Sequence, residues 1–258
     1  MIKRRTIVSI EPKEWKDTEH DYKLFDSEKN LLILPTHTPA GKPIKKFMQW
    51  VSGGTDSVLL MYLMMKTIKF YDLDVSYQPL TVRRPRPTNP LHAAAAIEVI
   101  EEMFDVELDH LVFYPPIETE EEQVFADGGF FAQTAREMAE NDLADCILSG
   151  ITCNPPIEVQ KTFRDGLSSE EELRSPLIER YSEHYAHKTS GPKPFEFYQI
   201  DPIINLDKSD VARIYKEEGI LDTLFPVTRS CETTESLHEH CGQCWWCEER
   251  MWAFGRLV

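Results

Sequence analysis

A short apolar run, a pair of glycines and a helix-forming run, in that order, constrain this chain more than any other stretch. Phe47-Met48-Gln49-Trp50-Val51 follows Lys45 and Lys46 and reads as a buried strand. Residues 58–66, rich in Leu and Met, read as a helix. Between them stands Ser52-Gly53-Gly54-Thr55-Asp56-Ser57. Glycines lack a Cβ, so Gly53 and Gly54 let the backbone turn tightly and come close to a ligand. The unpaired N–H groups of the helix start, with the positive end of its dipole, then form a cradle for bound oxygens. Ser52, Thr55 and Ser57 add hydroxyl donors, and Asp56 can cap the helix or help to hold Mg2+. An ordinary strand-to-helix turn is the plainer alternative, because Ser, Gly and Asp are turn residues anyway.

The 258 residues are enough for one large domain, or one domain with attachments. Asp and Glu outnumber Lys and Arg by 44 to 28, a net charge of −16. That excess repels nucleic acid on average, so a nucleic-acid partner is not expected. No apolar run approaches the roughly 18 residues of a membrane span. Met1-Ile2-Lys3-Arg4-Arg5 is basic but has no apolar stretch behind it, so no secretory signal is read and a cytoplasmic location is expected.

Along the chain, residues 6–10 and 31–34 look like short strands, with Pro35, Pro39, Gly41 and Pro43 following. Residues 1–45 are therefore read as a β-rich N-terminal extension. From Phe47 onward, strands and helices alternate. Further strands are expected at 75–82, 108–114, 146–150 and 195–200, and helices at 91–104, 129–141 and 208–218. Pro79 suggests an edge or irregular position for its strand. Asp207 reads as an N-cap and Gly219 as a helix stop. Residues 153–194 are the least regular and could form a lid or meet a partner. The alternation predicts an α/β fold, a doubly wound and mostly parallel sheet, spanning residues 46–225. Ligands of such sheets sit beyond the carboxyl ends of the strands. Residues 52–57, Arg83-Arg84 and Gly150-Ile151-Thr152 should therefore converge on one site.

Residues 226–258 form a third segment, marked by Cys231, Cys241, Cys244 and Cys247. The C-x2-C spacing lets two thiolates face one metal, Cys247 can return from the next helical turn, and Cys231 can close a tetrahedron. Four thiolates suit a structural, closed Zn2+ site. An iron–sulfur cluster is the main rival, and disulfides rank third in a reducing compartment. His238 and His240 read as surface residues beside a full cysteine set. Cys146 and Cys153 read as a buried strand cysteine and a loop cysteine.

The hexapeptide S-G-G-x-D-S resembles the pyrophosphate loop of the ATP pyrophosphatase (PP-loop) superfamily, whose members cleave ATP to AMP and pyrophosphate. With Arg229-Ser230-Cys231, Cys241-Gly242-Gln243-Cys244-x-x-Cys247-x-x-Arg250 and Asn205-Leu206-Asp207-Lys208-Ser209-Asp210, the chain resembles the 7-cyano-7-deazaguanine synthase (QueC) family. The resemblance runs over residues 47–258. It implies an adenine-nucleotide α-hydrolase-like fold with ATP, Mg2+ and Zn2+. It also implies conversion of 7-carboxy-7-deazaguanine and ammonia to preQ0, a precursor of queuosine-type modifications. A homodimer is left as an open expectation. Two departures stand out. Residues 1–45 precede the loop's strand, and Gly150-Ile151-Thr152-Cys153-Asn154-Pro155-Pro156 replaces the family's Tyr-Pro-Asp-Cys-Arg-like substrate segment.

The chemistry these residues suggest is adenylation of a carboxylate or amide oxygen, followed by attack of a nitrogen nucleophile. Residues 52–57 and Gly150 would bind the nucleotide, with Asp56 on the metal and catalytic. Lys208 would neutralise the leaving pyrophosphate, although a solvated helix lysine is an equal reading. Arg83 and Arg84 could grip phosphate or an anionic substrate, or simply belong to a surface loop. Trp245, Trp246 and Trp252 could stack a base, but they read first as local core. The alternatives are a QueC-like enzyme with a protein or nucleotide acceptor, a tRNA-thiolating PP-loop enzyme, and a non-catalytic ATP-binding module.

Overall fold

The computed structural model describes residues 24–38, 40–82, 89–113, 134–135, 137–163, 187–190, 197–231 and 239–258. The strand expected at 6–10 and the loop carrying Arg83 and Arg84 lie outside them, as do His238 and most of the 153–194 segment.

A six-stranded sheet organises the molecule. Its strands are β3 (Lys46–Trp50), β4 (Ser76–Val82), β5 (Leu111–Phe113), β6 (Cys146–Leu148), β7 (His187–Ser190) and β8 (Phe197–Ile200), in the order β5-β4-β3-β6-β8-β7. Five strands are parallel, and β7 runs antiparallel along the edge. This is the doubly wound, mostly parallel sheet expected. The strand order reverses between β3 and β6, the place where ligands of such sheets bind. Register aligns the carboxyl ends there, with Gln49 opposite Leu148 and Leu148 opposite Ile200. The loops leaving β3, β6 and β8 therefore open at one end.

β4 is not an edge strand, contrary to the reading from Pro79. Ser76 N–H donates to Lys45 O, and Val51 N–H donates to Leu80 O. The even residues of β4 thus face β3, and Pro79 faces the other side. Pairing with β5 starts only at Leu80, so Pro79 precedes the ladder and its missing N–H leaves no gap.

Side chains alternate across the sheet with period two, as pleating requires. Phe47 and Val51 join the core beneath α1 (Thr55–Tyr71), α2 (Asn89–Phe104) and α4 (Lys208–Glu217). Met48 and Ile147 face the other way and pack with Ala135, Met138 and Ala139. Met138 and Ala139 belong to the helix expected at 129–141, of which 134–135 and 137–141 are described, helical as far as residue 140. A short α3 (Ile157–Gln160) follows β6, and α5 (Trp245–Phe254) packs on α4.

Ahead of the sheet, β1 (Phe25–Asp26) and β2 (Leu31–Leu32) form an antiparallel hairpin against α1. The Leu32 N–H donates to Thr67 Oγ1 at 2.9 Å. Asn30 Nδ2 reaches Glu217 and Glu218 at the end of α4, and Lys66 pairs with Glu218 at 2.7 Å. Leu24, Leu32 and Leu34 join the main core. Among the described residues, no helix is long and apolar enough to cross a membrane.

Candidate active site

The loop between β3 and α1 is shaped by neighbours that leave no room for side chains. Gly53 has φ +79°, and a Cβ there would lie 2.6 Å from His92 Cβ and 2.8 Å from Ala93 N of α2. A Cβ on Gly150, at the end of β6, would lie 2.8 Å from Ser57 Cα. Both glycines are needed because the first turn of α1 is wedged between α2 and β6. Two of the expected nucleotide-binding segments, 52–57 and 150–152, thus meet as the topology requires. Arg83 lies outside the described residues.

Gly54 is the N-cap of α1 and supplies no side-chain cap. Asp56 therefore does not cap the helix. Its carboxylate turns to the mouth of the site, where it accepts from Thr152 Oγ1 at 3.2 Å and from Thr55 Oγ1 at 3.4 Å. It also accepts from Lys208 Nζ. With no capping side chain, the leading N–H groups stay available to an anion. Ser57 Oγ donates to Gly54 O at 3.1 Å and lies 3.2 Å from both Ser52 N and Ser52 Oγ, closing the loop on itself.

Lys208 is not a solvated helix lysine. Its side chain is 5% exposed, between Asp56 of the loop and Glu249 of α5, with Glu249 Oε2 at 3.5 Å. Burial works against the ammonium, but the two carboxylates outweigh burial and hold its pKa above the ordinary lysine value. Lys208 reaches this position as the first residue of α4. Asp207 caps that helix through Ser209 N and Asp210 N, with Asp210 completing the capping box.

Other residues hold the loop without having stood out in the sequence as site residues. Gln49, fully buried in β3, donates from Nε2 to Ser57 O at 2.6 Å and accepts from Tyr77 Oη at 2.7 Å. A lone amide inside an otherwise apolar strand was the available signal. Arg229 N–H donates to Gly53 O at 2.8 Å, tying the loop to the segment that carries Cys231. Glu249, one of two successive glutamates after Cys247, carried no signal.

Cys231, Cys241, Cys244 and Cys247 converge with all four sulfurs within 4.8 Å of one another. Cys241 Sγ and Cys247 Sγ are 3.8 Å apart, close to the edge of about 3.8 Å that Zn–S bonds of about 2.3 Å give a tetrahedron. Cys241 N–H points at Cys231 Sγ and Cys244 N–H at Cys241 Sγ, at 3.5 and 3.2 Å, stabilising thiolate charge. Burial pushes the Cys244 and Cys247 thiols up, and Cys231 adds to both, whereas the hydrogen bond with Cys247 pulls Cys244 down. A cation among the four sulfurs would favour the thiolates that burial disfavours at Cys244 and Cys247. The donor set fits a metal. His240 Nδ1 lies 3.9 Å from Cys247 Sγ, next to the cluster rather than on open surface.

Behind the cluster, Arg250 is fully buried. Its guanidinium lies 3.8 Å above the Phe225 ring and donates to Thr228 Oγ1, Phe225 O, Thr228 O and Leu257 O. Burial lowers its pKa to about 10. Trp245 is buried edge-on to Phe163, as local core, and no base-stacking role is built on it. Cys146 is buried in the sheet, and Cys153 donates from Sγ to Ile204 O.

Residues 181–258 match the family model of the queuosine biosynthesis protein QueC. The resemblance drawn from the cysteine and Asn205–Asp210 motifs is borne out there, and the S-G-G-x-D-S loop lies upstream of the match. No curated protein matches the chain. Among solved structures, the chain is similar to the U34-tRNA thiolase NcsA from Methanococcus maripaludis with its 4Fe-4S cluster, at 13% identity and a TM-score of 0.42. That match covers 81% of this chain and 62% of the thiolase, so the chain spans less than two thirds of the thiolase's length. NMN synthetase from Francisella tularensis is similar at 16% identity and a TM-score of 0.41, covering 84% of this chain and 79% of that one. FMN adenylyltransferase from Candida glabrata, with FMN and the ATP analogue AMPCPP, has 13% identity, coverage of 64% and 46%, and a TM-score of 0.34.

Proposed function

We propose that this chain is an ATP-dependent ligase that forms AMP and pyrophosphate. Its acceptor is the carboxylate of 7-carboxy-7-deazaguanine, its nucleophile is ammonia and its product is preQ0. The observation that carries the ATP chemistry is the buried Lys208 held against Asp56 of the S-G-G-x-D-S loop, at the switch point of a parallel sheet. The observation behind the acceptor is the QueC match over residues 181–258.

In this reading the N–H groups at the start of α1, with Ser52 and the glycine backbone, hold the phosphates of ATP. Lys208 neutralises charge on the leaving pyrophosphate, and Arg83 assists it. Asp56 and the phosphates would hold Mg2+, which supplies Lewis-acid stabilisation of the developing charge. The acceptor oxygen attacks the α-phosphorus and pyrophosphate departs. Ammonia then displaces AMP to give the amide. Adenylation of the amide oxygen, with loss of AMP and a proton, gives the nitrile. The four cysteines would hold one Zn2+, a closed set with no open position for chemistry. The division into residues 1–45, 46–225 and 226–258, a homodimer and a cytoplasmic location complete the reading.

A second reading keeps the ATP chemistry and changes the acceptor. It is favoured by Gly150-Ile151-Thr152-Cys153-Asn154-Pro155-Pro156, which stands where the family carries its substrate segment. Incubation with ATP, Mg2+, ammonium and 7-carboxy-7-deazaguanine separates the two. Amide and nitrile are expected, whereas pyrophosphate without either product would transfer the weight to another acceptor. Asp56→Ala should lower pyrophosphate release about 100-fold, the scale of losing a charge-stabilising group, a far larger effect than its lowering of the melting temperature. Full activity in Asp56→Ala, or no pyrophosphate from the unaltered protein, would overturn the proposal.

A further inference from the structure

Lys208 occupies a position that its own helix disfavours. It is the first residue of α4, where the positive end of the dipole opposes an ammonium. It is also buried, and an unpaired buried charge does not persist. Two carboxylates offset both costs. Asp56 belongs to the loop that precedes the chemistry, and Glu249 belongs to α5. Glu249 is itself 4% exposed and lies two residues beyond Cys247, on a helix whose N-cap is Cys244. Arg250, the residue after Glu249, opposes the ammonium through its own positive charge, which makes the two carboxylates the more necessary. Asp56 is also the residue expected to turn toward a metal, and it then shares its charge. Glu249 is the carboxylate that stays with Lys208.

We propose that Glu249 is a positioning residue that keeps the Lys208 ammonium at the mouth of the loop and carries the order of the four-cysteine segment to that loop. A second tie runs in parallel. Cys231 is two residues from Arg229, whose N–H holds Gly53 O. The cysteine segment therefore grips the loop from both sides, through the backbone at Gly53 and through charge at Asp56. The catalytic part of this inference rests on the ATP reading given above; the placement of Lys208 by Glu249 does not.

The test has two arms. In the first, lysines of the unaltered protein and of Glu249→Gln are acylated with acetic anhydride and quantified by mass spectrometry, with exposed Lys45 as the internal reference. Lys208 should be among the slowest lysines to react and should speed up about 10-fold in Glu249→Gln, the scale expected when one of two holding charges is removed. Unchanged Lys208 labelling would overturn the proposal. Should Glu249→Gln fail to fold, Glu249→Asp keeps the charge but withdraws it by one methylene, and an intermediate increase is expected. No increase in that variant would be equally fatal.

In the second arm, pyrophosphate release is followed through a double-mutant cycle with Lys208→Met. Glu249→Gln alone should lower kcat about 10-fold with KM for ATP little changed, and should cost no further activity once Lys208 is gone. Additive losses, or a fall in metal content alongside activity, would assign Glu249 a merely structural role. Increased labelling without any pyrophosphate from the unaltered protein would overturn the ATP reading and leave the positioning role standing.

Discussion

Gly53 combines a left-handed φ of +79° with backbone atoms of α2 less than 3 Å from where its Cβ would be. Gly219 shares the sign of φ, at +70°, but has nothing within 4 Å. The two separate conformational cost from crowding. Gly219→Ala should destabilise by about 1 kcal/mol, from backbone conformation alone. Gly53→Ala adds a clash that α2 can relieve only by moving, and should cost about 3 kcal/mol. Denaturant midpoints of the two variants check the order, and equal losses would mean that α2 does not press on the loop. The need for glycine at 53 was legible in the S-G-G string. The object that demands it, the backbone at His92 and Ala93, was not, because it arrives from some forty residues away.

At the scale of elements, the site depends on how helices begin and how strands enter the sheet. Asp207 was readable as a cap from its place before an amphipathic run, and the structure completes its capping box with Asp210. Asp207→Ala should cost about 1 kcal/mol. Because the first residue it orders is Lys208, pyrophosphate release should fall further than stability does; thermal melts and turnover of the same preparation check this. The entrance of β3 is secured by Asp145, whose Oδ2 accepts from Lys45 N–H and Lys46 N–H, both at 2.9 Å, while Lys42 pairs with it at 2.7 Å. Burial pushes the Asp145 carboxyl up, but Lys42 and the two N–H groups pull it down further, below its ordinary 3.8. Its stabilisation is therefore fully present above about pH 4 and is lost as pH falls through the folded value. Unfolding measured between pH 5 and 2 should be steeper for the unaltered protein than for Asp145→Asn.

The whole molecule is joined at its C-terminal end. Cys244 stands at the N-cap position of α5, and the far end of that helix packs Phe254 against Phe225 and Tyr215 in the main core. For the Zn2+ proposed at the four cysteines, elemental analysis should return about one zinc per chain. Cys244→Ser should lose that metal and lower the melting temperature. Iron with sulfide, or a fully stable metal-free variant, would contradict it.

Local pattern was sufficient for the five parallel strands, the loop and the cysteine set, but not for β7, which lies in the stretch 153–194 read as irregular. Strand and helix periods, glycine punctuation and ligand spacing are properties of neighbouring residues, and neighbours are what a sequence displays. The strand expected to hold an edge or irregular position shows the limit: Pro79 spoke for its own N–H but not for where β5 begins to pair. Charge placement at the site was decided by tertiary structure alone. Lys208, Asp56 and Glu249 come from three distant segments, and Lys208 reads equally as a site lysine and a solvated one until two carboxylates close over it. Burial and partnership are relations between segments that only the folded chain brings within 4 Å.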